Sequence, residues 1–359
     1  MTSTFCTLSP GLRRFSLRAL CVIGLLGASL VAHAQSALLY GYDAISPKRI
    51  VSFSVDAPAT LLTSVTLTGL GANDVLLGID IRPATGELYG IATSDYAFGR
   101  LVKIDVQSGA VTNVGGGAFR LNGQFFGVSF NSASDRIRLI SNFDSNIQVN
   151  PVDGLLSSTD TALAYVTGDP QFGVNPAVSH LAYGSASSGA TATVYGIDVA
   201  AGNLVRIGGI DGVPSASAGQ LTTIGSLGVT FAGGSFGNIG GFDIDSGTNT
   251  AYAALRTSAG SVLHTINLAT GVATPLGLIG TGSSAIDGLA IAPPNACLDI
   301  DGDGTVRALT DGLMLVRALL GMTGTAVTNN ALPSPAPPRA TWALIRTHMN
   351  AKCGMDFRP

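Results

Sequence analysis

Apolar, β-favouring runs bounded by turn residues recur along most of the chain. Residues 76–115 show the unit whole: LLGIDIRP, ELYGIAT, RLVKIDV and AVTNVG, separated by Pro83-Ala84-Thr85-Gly86, Ser94-Asp95-Tyr96 and Gln107-Ser108-Gly109. This alternation of run and turn predicts four antiparallel strands. A four-stranded unit of about forty residues, repeated along a chain, predicts propeller blades.

First strands of successive units begin near residues 76, 125, 177, 238 and 285. Three strands at 38–67 (LLYGYD, RIVSFSV, TLLTSVTL) precede the first full unit without a leader, and AIDGLAIAPP at 285–294 has no followers. Pairing 285–292 with 38–67 completes a fifth blade and closes a ring from both ends, which removes exposed sheet edges. Six blades result instead if residues 205–237 (VRIGGIDG, QLTTIG, GVTFAG) form their own sheet. The expected fold is therefore all-β: a five-bladed or six-bladed β-propeller over 35–292 with N/C-terminal strand closure, followed by a small helical module over 293–359.

Four hairpins share one form: IDVQSGAV (104–111), VNPVDGLL (149–156), IDVAAGNL (197–204) and INLATGVA (266–273). Asp or Asn opens each turn by accepting from its own backbone, and Gly supplies a positive φ. Repetition of the form points to folding, not to a metal site. By the same reasoning Asp80, Asp135, Asp198, Asp243 and Asp287, all near strand ends, are expected to be turn or inter-blade groups.

After Pro293-Pro294 the pattern changes to a helical period. Leu313, Val316 and Leu320 fall on one face of DGLMLVRALLGM, and Trp342, Ile345 and Met349 on one face of TWALIRTHMNAKC. These stripes are read as the core of a two-helix module, with the Pro-rich LPSPAPP between them. A helix pair this small needs a staple. Cys297 and Cys353 flank it, and in an exported chain two cysteines are expected to form a disulfide.

Export is expected from the N-terminus. Arg13, Arg14 and Arg18 precede the apolar run Ala19 to Val31, and Ala32-His33-Ala34 offers a cleavage site. Residues 1–34 thus read as a signal peptide, leading to a secreted or periplasmic location. The apolar run is short for a bilayer span, so no membrane span remains after cleavage. Cleavage leaves 16 basic against 22 acidic residues, a net charge of −6, and no basic stripe for nucleic acid. Hydrophobic residues at 46%, charged residues at 11% and 47 glycines suit tight turns and close strands and exclude a charged helical bundle.

The sharpest chemical signal is Asp299-Ile300-Asp301-Gly302-Asp303-Gly304. Carboxylates at positions 1, 3 and 5 with Gly at 6 open an EF-hand-type calcium loop. Thr305 would add its carbonyl, and Asp311, one residue beyond the usual closing acid, would complete a site for one calcium ion. This module resembles dockerins, whose loop–helix repeats begin in the same way, but it has one acidic loop where they carry two. Binding to a cohesin is therefore open.

LLGIDIRPATGELYGI, FFGVSFNSASDRIRLISNFDSNIQVNPVDG and NPAVSHLAYGSASSGATATVYGID resemble the secreted bacterial family known as domain of unknown function 4394, over roughly 38–292. The resemblance implies a propeller and brings no activity. Asp135, Arg136, Arg138, Asn142, Asn146 and Asn150 are the densest polar group within it. They are read as a candidate ligand surface or as inter-blade pairs. No G-x-S-x-G elbow, zinc-spaced His pair or phosphate loop occurs, so catalytic and cofactor-binding residues are not assigned. The expected function is non-catalytic binding of a protein, glycan or envelope ligand. The alternative is a propeller glycoside hydrolase or lyase with its acids at the central mouth.

Overall fold

The structure, a computed structural model, describes residues 37–185, 191–232, 240–293, 298–302, 306–333, 337, 339–353 and 355–358. The signal-peptide residues, Cys297, Asp303 and Thr305 lie outside them.

Five sheets are present among the described residues, antiparallel throughout except for one short edge strand. Numbering the blades from the N-terminus, their innermost strands are Ile286–Ile291, which completes the first, and Val75–Ile81, Phe126–Asn131, Val178–Tyr183 and Gly240–Ile244 of the second to the fifth. These five contact one another in a closed cycle, each touching the next and the last touching the first. They read as nearly unbroken buried runs, as expected of strands covered on both faces. An outer strand such as Leu61–Thr66 alternates half-buried and exposed positions instead. Burial therefore falls from the axis outward within each blade.

The ring closes as the pattern predicts. Ile286–Ile291 pairs antiparallel with Leu38–Asp43, Leu39 facing Ile291 and Tyr40 facing Ala290. The six-bladed alternative is not what the chain does. Asn203–Ile207 and Gln220–Ser226 are the outer strands of the fourth sheet, pairing Val205 with Thr223. A second difference lies at Ala164–Tyr165, expected to finish the third unit. It instead lies parallel to Gln220–Ser226, on the edge of the fourth sheet. Tyr165 explains the transfer: its ring is buried there with Leu163 and Leu221, and its hydroxyl donates to Asp198 at 2.6 Å.

The repeated turns are side-chain-capped. Asp105 accepts from the backbone N–H groups of Gln107 and Ser108, and Asn267 from those of Ala269 and Thr270. Gly109 and Gly271 follow at φ 74° and 85°, which a side chain would strain.

The C-terminal module has helices Leu313–Leu319, Thr325–Thr328 and Trp342–Cys353, one more than expected. Its core holds Ile300, Met314, Ala318, Val327, Ile345 and Met349. The second stripe is correct. The first is rotated: Val316 and Leu320 are exposed, and Met314 and Ala318, spaced i and i+4, are the buried pair. The helix ends at Leu319, so Leu320 is past its last turn.

Candidate functional site

The centre of the ring is shaped by glycine. Gly78, Gly127, Gly241 and Gly288 sit at corresponding places in four of the five inner strands. A Cβ on Gly127 would meet Leu181 N at 2.7 Å, one on Gly241 would meet Leu289 N at 2.2 Å, and one on Gly288 would meet Ile79 N at 3.1 Å. Missing side chains let neighbouring backbones close around the axis. In the remaining strand the corresponding place is His180, whose Nε2 lies against Gly240. The narrow part of the channel retains about 10 Å³, roughly room for one water.

One end of the channel opens into a mouth of about 80 Å³ lined by Leu77, Tyr96, Gln124, Phe125, His180 and Asp287, among others. His180 is 3% exposed, and its Nδ1 lies 3.1 Å from Ser179 Oγ. Its Nε2 and the Oδ1 of Asp287 are buried without a hydrogen-bond partner among the described residues. Burial pushes the imidazole down to about 4 and so keeps it neutral at physiological pH. Burial also pushes Asp287 up to about 7; Arg256 opposes the shift and Asp43 adds to it. Two elements build the rim. Asn142 Oδ1 accepts from the N–H groups of Gln124 and Phe125 at 2.9 and 3.0 Å. Tyr96 is held at φ 58° by a turn in which Thr93 Oγ1 accepts its N–H at 3.0 Å.

The other buried aspartates tie blades together. Asp80 Oδ2 accepts from Phe130 N at 2.6 Å, and Asp243 Oδ2 from Ile291 N at 2.7 Å, each reaching the next inner strand. Ser129 Oγ makes the equivalent contact to Tyr183 N at 3.4 Å. Burial raises both carboxyls, Asp243 further through Asp80. Asp198 caps its turn through Ala200 and Ala201.

The six polar residues of the third unit do not converge on one surface. Asp135 pairs with Arg82 of the preceding blade, Nε to Oδ1 at 2.8 Å, which holds its carboxyl below the usual range. Arg136 Nη1 donates to the Asp135 carbonyl at 3.0 Å. Arg138 is 3% exposed and donates to Tyr183 Oη at 2.8 Å, to Asp160 Oδ2 at 2.8 Å and to Asn146 Oδ1. Asn146 in turn donates to the carbonyls of Thr161 and Ala216 at 3.0 Å. Asn150 caps the following turn through Val152 N. None of the six lines the mouth; Asn142 reaches it only through the N–H groups of Gln124 and Phe125. His180 was the residue missed, although Gly before an apolar residue in four inner strands (Gly78-Ile79, Gly127-Val128, Gly241-Phe242, Gly288-Leu289) and His180-Leu181 in the remaining one are visible in the sequence.

In the C-terminal loop, carboxylate oxygens of Asp299, Asp301 and Asp311 lie within 4.8 Å of one another. Asp311 is heavily engaged: Oδ1 accepts from Ile300 N and Asp301 N at 2.6 and 3.1 Å, Oδ2 from Arg307 N and Thr310 Oγ1 at 2.9 Å. Any ligand role for it requires exchanging one of these donors. Arg339 spans the same loop, donating Nε to the Ile300 carbonyl at 2.9 Å and lying 3.6 Å from Asp299 Oδ2. Cys353 packs against the core of this module.

A family model described as a domain of unknown function, DUF4394, matches residues 49–290, more than half of the chain. No curated protein matches the chain. Among solved structures it is similar to a protein of unknown function from Bacteroides thetaiotaomicron (16% identity, TM-score 0.42), covering 71% of this chain and 63% of that one. It is also similar to a chain of a nidogen/laminin complex (11% identity, TM-score 0.40, 72% and 98% covered). A third is a 6-phosphogluconolactonase-like protein of Bacteroides uniformis (12% identity, TM-score 0.39, 67% and 82% covered).

Proposed function

We propose that this chain, which belongs to the DUF4394 family of domains of unknown function, is an exported binding protein that receives a protein, glycan or envelope ligand at the propeller mouth. One observation carries the reading: at the mouth, open space meets two buried polar atoms, His180 Nε2 and Asp287 Oδ1, that have no partner among the described residues. Buried polar groups are normally satisfied, and an unpaired one costs about 1–3 kcal/mol. A ligand that supplies the missing partners recovers that cost. Glycoside hydrolysis needs two carboxyl groups flanking the scissile bond, and the described mouth residues contribute one.

The test is a screen of glycan and peptide arrays with the purified chain, repeated with Asp287→Ala. A ligand retained by the wild type and lost by the variant supports the reading. Release of reducing sugar from a polysaccharide, abolished by D287A, overturns it in favour of catalysis.

Export rests on Arg13, Arg14, Arg18, the apolar run that follows and Ala32-His33-Ala34, and predicts a mature N-terminus at Gln35. Calcium at the C-terminal loop rests on the carboxylates of Asp299, Asp301 and Asp311 and on the Asp303 and Thr305 spacing. Titration calorimetry of the full chain with millimolar calcium is expected to show binding heat, and its absence would sink the calcium assignment. A Cys297–Cys353 bridge is expected to protect both thiols from alkylation until reductant is added.

A further inference from the structure

Given that the mouth binds a ligand, three of its features narrow the chemistry of the group it holds. The first is the pair of unpartnered atoms. We assign the proton of the neutral His180 ring to Nδ1, 3.1 Å from Ser179 Oγ, so that Nε2 presents a lone pair beside the space that Asp287 Oδ1 also borders. Both are then acceptors, and the complement is a group with at least two N–H or O–H donors.

The second feature is charge. No Lys or Arg is among the described residues lining the mouth, and Asp287 is their one carboxyl group. Arg256 acts on Asp287 electrostatically but does not line the space. An anionic ligand would meet Asp287 with no Lys or Arg among the described lining residues, and a neutral hydroxyl would do nothing to favour its charged form over its protonated one. A cation favours the charged form. The third feature is the wall. Tyr96 is held over the rim in a left-handed backbone conformation that a non-glycine residue adopts at a cost of about 1–3 kcal/mol, a kind of strain found at ligand clamps. Phe125 and Leu77 line the same space, giving aromatic and aliphatic surface for a cation and the stem that carries it.

We propose that the mouth takes a primary ammonium group on an apolar stem, its N–H groups donating to Asp287 Oδ1 and His180 Nε2 and its stem lying against Tyr96, Phe125 and Leu77. An ammonium head is close to water in size, so it suits a space of about 80 Å³ better than a sugar ring does. Lysine side chains and aliphatic diamines share this chemistry.

The test uses the full chain, titrated with n-butylammonium chloride, n-butanol and sodium butyrate and followed by NMR shifts of the mouth residues. N-acetyl-lysine methylamide and putrescine form two further arms that separate a side-chain source from a free diamine. Butylammonium is expected to bind roughly tenfold more tightly than butanol, the effect of a charge-assisted hydrogen bond, and butyrate is expected not to compete. Asp287→Asn should lose that margin while still unfolding in a single cooperative transition. Should D287N not fold, Tyr96→Ala changes a side chain that is 46% exposed and is expected to weaken butylammonium more than butanol. Equal affinity for butanol and butylammonium, a preference for butyrate, or variants that keep the wild-type ratio would each overturn the assignment. An array ligand bound at the mouth without an amine removes the ammonium assignment and leaves the binding function standing. Butylammonium binding with no array partner does the reverse.

Discussion

Two polar clusters in the propeller look alike in composition and behave oppositely. Arg138, Asn146, Asp160, Gln148 and Ser217 form a network between the third and fourth blades in which donors meet acceptors: Arg138 and Gln148 both reach Asp160 Oδ2 at 2.8 Å. At the mouth, His180 and Asp287 are as deeply placed and leave one atom each unmatched. A satisfied buried network specifies how two blades meet, whereas an unsatisfied one at a cavity waits for something else. Polar density along the chain therefore points to a satisfied cluster, and hydrogen-bond accounting points to the mouth.

The largest expected effect tests the first half of that contrast. Arg138→Met leaves Asp160 buried without its cation, and breaking such a pair costs about 3–5 kcal/mol. Urea denaturation should show the loss, while ligand capture by the fraction still folded stays at the wild-type level. Captured ligand lost in proportion to nothing but the mutation would place function in the network after all.

Next comes pH. Burial raises Asp287 to about 7 and raises Asp80 and Asp243 in the same direction, against about 4 for an unfolded carboxyl. Between about pH 4 and 7 the folded chain therefore holds more protons than the unfolded one, and stability falls as pH rises through that window. His180, lowered to about 4, and His264, also lowered by burial, act in the opposite sense. Three carboxyls outweigh two imidazoles, so the melting temperature is expected to drop between about pH 5 and 7.5. Asp287→Asn should flatten this decline, and an unchanged slope would mean that its carboxyl is not protonated in the fold.

The smallest expected change in stability comes from His180→Asn. No protein partner of Nε2 is lost, so the fold should shift by about 1 kcal/mol or less, while binding at the mouth falls clearly. A loss comparable with R138M would make His180 a structural residue.

Much of this was legible beforehand because it is written in short-range pattern. Turn capping at Asp105 and Asn267 needs only neighbours in sequence, and closure by 286–291 follows from counting strands without partners. The Ala164–Tyr165 transfer was not legible, because it depends on where one tyrosine ring finds apolar neighbours and a carboxylate. The rotated stripe at 313–320 has a similar cause: Met and Leu alternate closely enough there that either face could be chosen, and packing against Ile345 and Met349 decides. At the site itself, the Asp80 and Asp243 assignments to inter-blade contacts follow from their repetition. Asp80 and Asp243 stand two residues after Gly78 and Gly241, whereas Asp287 stands one residue before Gly288, toward the other end of its strand, where a repeat argument has no purchase.

The strand Ile286–Ile291 carries Asp287 and is also the last piece of the ring to be synthesised. Its partner Leu38–Asp43 emerges nearly the whole domain earlier, so the pairing is among the most sequence-distant in the molecule, and such contacts form late. Until it docks, the first blade has an open edge and the mouth lacks its carboxylate. A chain stalled or clipped before this strand would thus keep an adhesive edge and an incomplete mouth.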